Sequence, residues 1–172
     1  AAANKTATDI DAVIVACANI QRPYPAIAIE LQQALDIDGY AFDMQVACSS
    51  ATFAMQNAAN AVQSGQARAV LVVMPEITTP QVNFKERESH FIFGDAAVAV
   101  VIESTATCQL PHPFAILGNR LLTQFSNMIR SNYSYLNRIE VSDETSQEKL
   151  FYQQGKTVFK EVVPMAVQFM LD

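Results

Sequence analysis

Glycine is scarce in this chain, five in 172 residues, and none sits in GxGxxG or GxxxxGK[ST] spacing, so no phosphate-cradling loop is present. Histidine is scarcer: His90 and His112 are the only two. The three cysteines lack CxxC or His-rich spacing, which argues against a zinc site or a disulfide framework and makes a reducing cytosol the simplest setting. HExxH, EF-hand and paired-carboxylate patterns are also missing, and Glu30, Asp36 and Asp38 read as solvated surface groups. No apolar run reaches the length of a membrane span; the longest, such as Ala96 to Ile102, suit buried strands. Basic residues are outnumbered 11 to 17, and a net charge of −6 gives no general attraction to nucleic acid. The opening AAANKTATDID has neither the basic start nor the apolar middle of a signal peptide. It reads as the tail of a helix. Val162 to Asp172 stops within a helical pattern without a C-cap signal, so both ends look cut.

What is present suits a packed core. Hydrophobic residues make up 51% of the chain and charged ones 16%, a composition unlike that of a disordered segment. The pattern predicts strands at 11–17, 40–46, 68–74 and 96–103, with helices at 25–35 and 49–64 between them. Continuous β-branched runs alternating with helices point to an α/β layered domain whose sheet is covered on both faces. A polar excursion with the charge cluster Lys85-Glu86-Arg87-Glu88 runs from Pro75 to Ser89. A further strand is expected at 114–119. Residues 120–145 fit no pattern, and one long helix is expected over 147–171, kinked or bounded near Pro164.

The stretch Phe42-Asp43-Met44-Gln45-Val46-Ala47-Cys48-Ser49-Ser50 carries the most chemical information. A strand-like run delivers Cys48 to the start of an Ala-rich helix, with Ala54, Ala58 and Ala61 at helical spacing and Gly65 as a C′ residue. Unpaired N–H groups and the positive dipole end favour a thiolate there and supply donors to an oxyanion. The commoner role of a cysteine is inert core filler. Cys17, ending an apolar run, and Cys108, in a polar connector, lack this placement. His90 or His112 could serve as a basic partner or be a surface group, and spacing does not choose between them.

The ordered set decides further. An apolar strand is followed by RPYP, FDMQVACSS, QSGQARAVLVV, RESHFIFGDAAVAVVIE and KLFYQQGKTVFKEVVP, and in that order they resemble the β-ketoacyl-acyl-carrier-protein synthase III family of the thiolase superfamily. The resemblance runs from about Asp11 to Pro164 and implies a layered thiolase-like fold with a mixed sheet covered by helices. It implies an N-terminal half over 1–104, its opening strand and helices missing, and a connector with the start of the second half over 105–172. By the same likeness Cys48 takes an acyl group as a thioester, Tyr24 reaches across a dimer interface toward the neighbour's acyl pocket, and Arg87 contacts the coenzyme A or carrier-protein arm. Gly94 and Asp95 match a tight structural turn.

The activity implied is acyl transfer from acyl-CoA to Cys48, then decarboxylative Claisen condensation with malonyl-carrier protein, in a cytoplasmic homodimer without metal or redox cofactor. The family's histidine and asparagine for malonyl binding have no counterparts here, so the chain is expected to be a central piece unable to complete condensation. Gln45 and the Ser49-Ser50 pair depart from the commoner pattern and leave acyl-chain preference open. A polyketide or quinolone-type synthase, or a non-catalytic thiolase-fold partner subunit, are the alternatives. The latter would not need a reactive Cys48.

Overall fold

The computed structural model describes residues 3–131 and 150–172, and its backbone contacts divide them into two compact units. The first, residues 1–76 and 96–121, contains a four-stranded sheet. Its elements are β1 (Ala12–Ala16), α1 (Ile27–Leu35), β2 (Tyr40–Met44), α2 (Ser50–Gln63), β3 (Ala69–Glu76) and β4 (Ala96–Glu103). The strand order is β2-β1-β3-β4, with β1 parallel to both β2 and β3 and β3 antiparallel to β4. The sheet is therefore mixed, and the two parallel steps are made through helices, as such crossovers require.

Every residue of β1 is buried, because its alternating side chains meet a helix on each face. Ile14, Val70 and Val72 cluster with Ala54, Ala58 and Ala61 of α2. Val13, Val15 and Cys17 cluster with Ala28 of α1 and with Ile37 just beyond it. The small residues on α2 let its backbone lie close to the sheet. Coverage stops at β4, whose residues 96–99 are exposed although they pair with the far end of β3. The expectation of a sheet buried on both faces therefore holds for the central strands only.

Helix ends follow local chemistry. Gly65, at φ +75°, ends α2: its N–H bonds to the Val62 carbonyl and that of Gln66 to the Ala61 carbonyl, a Schellman arrangement. The start of α1 is capped from a distance, since the Asp43 carboxylate on β2 accepts from the N–H groups of Ile27 and Ala28 at 2.9 and 2.8 Å. Gly39, at φ +114°, lies where a Cβ would come within 2.0 Å of the Asp11 carbonyl oxygen; only glycine allows β1 and β2 to begin side by side.

The second unit, residues 77–95 and 122–172, contains β5 (Ile129–Ser131), β6 (Phe151–Gln153) and α3 (Gly155–Leu171). β5 and β6 pair antiparallel, and the Phe93 and Phe151 rings meet edge to face at 4.6 Å. The expected helix at 147–171 thus begins only at Gly155, because Phe151 to Gln153 are taken by the ladder to β5. It continues through Pro164 to Leu171. The expected strand at 114–119 is not formed; among the described residues no strand pairs with it. Tyr133, Tyr135 and Leu136 lie outside the described residues.

Candidate active site

Cys48 lies on the connection between β2 and α2, one residue before the N-cap Ser49. It therefore stands just outside the helix rather than in its first turn, still at the end where backbone N–H groups lack intrahelical partners. The thiol is exposed, whereas Cys17 is buried and Cys108 half-buried. Ala47, immediately before it, is held at φ +44°, an unusual conformation for a residue with a Cβ. Three bonds fold the turn: Ser49 N–H to the Val46 carbonyl, and both the N–H and the hydroxyl of Ser50 to the Ala47 carbonyl. The Ser50 oxygen also accepts from the Val46 N–H at 2.8 Å.

Around the exits of the three strands lies a polar lattice. Glu76, ending β3, accepts from the Ala18 N–H at 2.6 Å, and the Gln45 side-chain amide donates to the Ala18 carbonyl at 2.7 Å. The turn after β1, which leads to Tyr24, is thereby tied to both neighbouring strands. The Cys17 thiol points at the Glu76 carboxylate, 3.8 Å away, and accepts from the Asn19 N–H at 3.3 Å. Burial pushes this thiol up to about 11, with the Glu76 charge adding to the rise against the Asn19 bond. A thiol so protonated and enclosed is no nucleophile.

Tyr24 is 81% exposed on the loop between β1 and α1, in the same unit as Cys48. Nearby, Arg22 pairs with Glu30 at the surface, where that carboxylate stays solvated as expected. Arg87 lies in the second unit on a turn before β4, exposed, and among the described residues it forms no ion pair with Glu86 or Glu88. His90 also belongs to that unit, its Nδ1 at 3.0 Å from the Glu86 carbonyl oxygen. His112 is exposed on the segment after β4. Asp95 accepts from the N–H of Thr79, the Thr79 hydroxyl and the Thr78 N–H, which hold its carboxyl below the usual range. These bonds tie the residue before β4 to the Thr78-Thr79 segment; residues 94 and 95 themselves form no turn. An open groove of about 380 Å³, lined by Tyr40, Phe42, Asn57 and Asn60 among others, does not include Cys48.

Sequence reasoning located Cys48 and noted Ser50 only as half of an unusual pair, and it missed Gly39 and Glu76. A lone glycine gives little signal, and Ser50 and Glu76 act through bonds that no spacing rule encodes.

Comparison with known proteins shows what the chain is similar to. Residues 42–113, which include Cys48 and Arg87, match the 3-oxoacyl-[acyl-carrier-protein (ACP)] synthase III family. The chain is 56% identical over 166 residues to a beta-ketodecanoyl-[acyl-carrier-protein] synthase of Pseudomonas aeruginosa, a match covering 96% of this chain and 47% of that protein. Its fold superimposes on 3-oxoacyl-[acyl-carrier-protein] synthase III from Aquifex aeolicus with a TM-score of 0.73 at 25% identity, over 92% of this chain and 46% of the other. It also superimposes on the priming beta-ketosynthase from the R1128 polyketide biosynthetic pathway, with a TM-score of 0.75 at 26% identity, over 95% and 47% of the two chains. The chain thus spans about half the length of the curated relatives it matches.

Proposed function

We propose, for a chain that belongs to the 3-oxoacyl-[acyl-carrier-protein (ACP)] synthase III family, that the protein built on it is a condensing acyltransferase of fatty-acid synthesis. The Cys48 sulfur attacks the carbonyl of an acyl-CoA, the oxyanion collapses, and coenzyme A leaves as its thiol to give acyl-Cys48. A malonyl-carrier protein then loses carbon dioxide. The resulting enolate carbon attacks the Cys48 thioester, the cysteine sulfur leaves, and a β-ketoacyl-carrier protein is released. One difficult carbon–carbon bond formation becomes two easier steps through a covalent intermediate. The reaction as written needs no metal or redox cofactor.

The observation that carries this reading is the exposed thiol on a tightly folded turn at the head of α2, in a segment matching the family. The name of the Pseudomonas aeruginosa relative supports a medium-length product: a β-ketodecanoyl chain, with two carbons from malonyl, starts from an octanoyl donor. The priming polyketide ketosynthase supports related chemistry at lower identity, and the fatty-acid reading is preferred on the 56% match. Arg87, exposed and free of an acidic partner among the described residues, grips the phosphate-bearing arm of the thioester. In the same reading the protein is a cytoplasmic homodimer. Tyr24 reaches the partner's acyl pocket, supported by its exposure and by β2 ending the described sheet. No helix among the described residues is long and apolar enough to cross a membrane.

Intact-mass spectrometry after incubation with octanoyl-CoA tests the first step. One octanoyl adduct is expected, on Cys48, and none on the Cys48→Ala variant. An adduct that survives the substitution, or a wild-type protein that takes up no acyl group, overturns the reading.

A further inference from the structure

We infer that Ser50 is a positioning residue that aims the Cys48 N–H at the oxyanion formed when the thiol is acylated. This rests on the acyl-cysteine reading above and deepens it. Ser50 is buried, 2% exposed, so its hydroxyl does not meet substrate. It acts on the turn instead. The hydroxyl donates to the Ala47 carbonyl at 2.7 Å while the Ser50 N–H donates to the same oxygen at 3.1 Å. Two donors on one carbonyl fix the direction of that C=O.

The Ala47 carbonyl and the Cys48 N–H belong to one trans peptide, planar and rigid, with N–H and C=O pointing in opposite directions. Fixing one therefore fixes the other. The Ser50 oxygen simultaneously accepts from the Val46 N–H, which closes the far side of the turn. Without the two bonds to its oxygen the 47–48 peptide is free to flip by coupled rotation about ψ of Ala47 and φ of Cys48. Such a flip would turn the Cys48 N–H away while leaving the sulfur on the same exposed connection. An oxyanion donor is effective only when oriented before charge develops.

The test separates the amide from the sulfur. Acylation passes through a tetrahedral oxyanion; alkylation by iodoacetamide is a displacement at carbon with no oxyanion. The experiment compares wild type, Ser50→Ala and Ser50→Thr in the full-length protein, with octanoyl-CoA as acyl donor. For Ser50→Ala the acylation rate constant is expected to fall about tenfold to a hundredfold with KM for octanoyl-CoA little changed. Iodoacetamide labelling of Cys48 should stay within about threefold of wild type. Ser50→Thr, which keeps the hydroxyl, should restore most of the acylation rate.

Unchanged acylation in Ser50→Ala overturns the assignment. A parallel loss of acylation and alkylation also overturns it, because the residue would then act on the thiol or the fold. If Ser50→Ala does not fold, Ser50→Cys, which keeps a weaker donor and acceptor, takes its place: reduced acylation with normal alkylation is expected, and wild-type acylation overturns the assignment. A wild-type protein that is alkylated but never acylated would instead sink the acyl-cysteine reading itself.

Discussion

Raising the pH should loosen this protein through a cysteine that takes no part in the chemistry. Cys17 is 2% exposed at the end of β1, with the Glu76 carboxylate 3.8 Å from its sulfur. Burial first, and the Glu76 charge after it, raise the thiol from 9.0 to about 11 in the folded state. The unfolded chain releases this proton near the ordinary value while the folded chain keeps it. The folded state therefore binds more protons over that interval, and stability declines as pH rises through it. A gap from 9.0 to about 11 corresponds to roughly 3 kcal/mol at its full extent, of which about 2 kcal/mol is lost by about pH 10.5.

Urea denaturation under reducing conditions, at about pH 8 and about pH 10.5, reads this directly. Tyrosines and lysines also titrate there, so the informative quantity is the difference between wild type and Cys17→Ala. The variant should be less stable at neutral pH, having lost a buried sulfur, yet lose about 2 kcal/mol less on going to alkaline pH. Glu76→Gln should fall between them. Equal alkaline losses in wild type and Cys17→Ala would refute the reasoning, since the thiol would then titrate alike in both states.

Two further outcomes follow from the backbone and the acid range. Gly39→Ala places a Cβ 2.0 Å from the Asp11 oxygen at φ +114°, and thermal melts should show a loss of at least about 3 kcal/mol; a loss under about 1 kcal/mol would contradict the close approach of β1 and β2. Asp11, held below the usual carboxylate range by the Arg68 guanidinium and N–H, contributes stability above its unfolded value that disappears as pH falls through its folded one. Asp11→Asn should therefore flatten the acid limb of a stability–pH curve, and an unchanged limb would show that the pair does not matter to folding.

Most of the first unit was legible because its signals are local and repeated. The apolar run at 12–16, the alanines at 54, 58 and 61 and the glycine after α2 each obey a period or an end rule, and all three fell where expected. β4 matched to the residue, since Gly94 and Asp95 mark its start and an unbroken β-branched run follows. The misreadings share one cause. Phe114 to Asn119 has the composition of a strand but no ladder, and Phe151 to Gln153 has a helical pattern but pairs with β5. A strand is stabilised by its neighbour, and the neighbour is not written beside it in the sequence.

The same division holds at the site. Local sequence was sufficient to put a cysteine at the head of an alanine-rich helix, because residue type, spacing and helix polarity lie within a few positions of one another. The bonds at the strand ends beside that position come from separated segments. Asp43 caps α1 from another strand, Glu76 raises the Cys17 thiol from fifty-nine residues away, and Gln45 and Glu76 grip the turn after β1 from two sides. Even Ser50, only two residues beyond the cysteine, is held by bonds to the Ala47 carbonyl and from the Val46 N–H that composition does not announce. Periodicity records which face of an element is buried; the direction of a single amide or the ionisation of a single thiol depends on a few ångströms between groups that only the folded chain brings together.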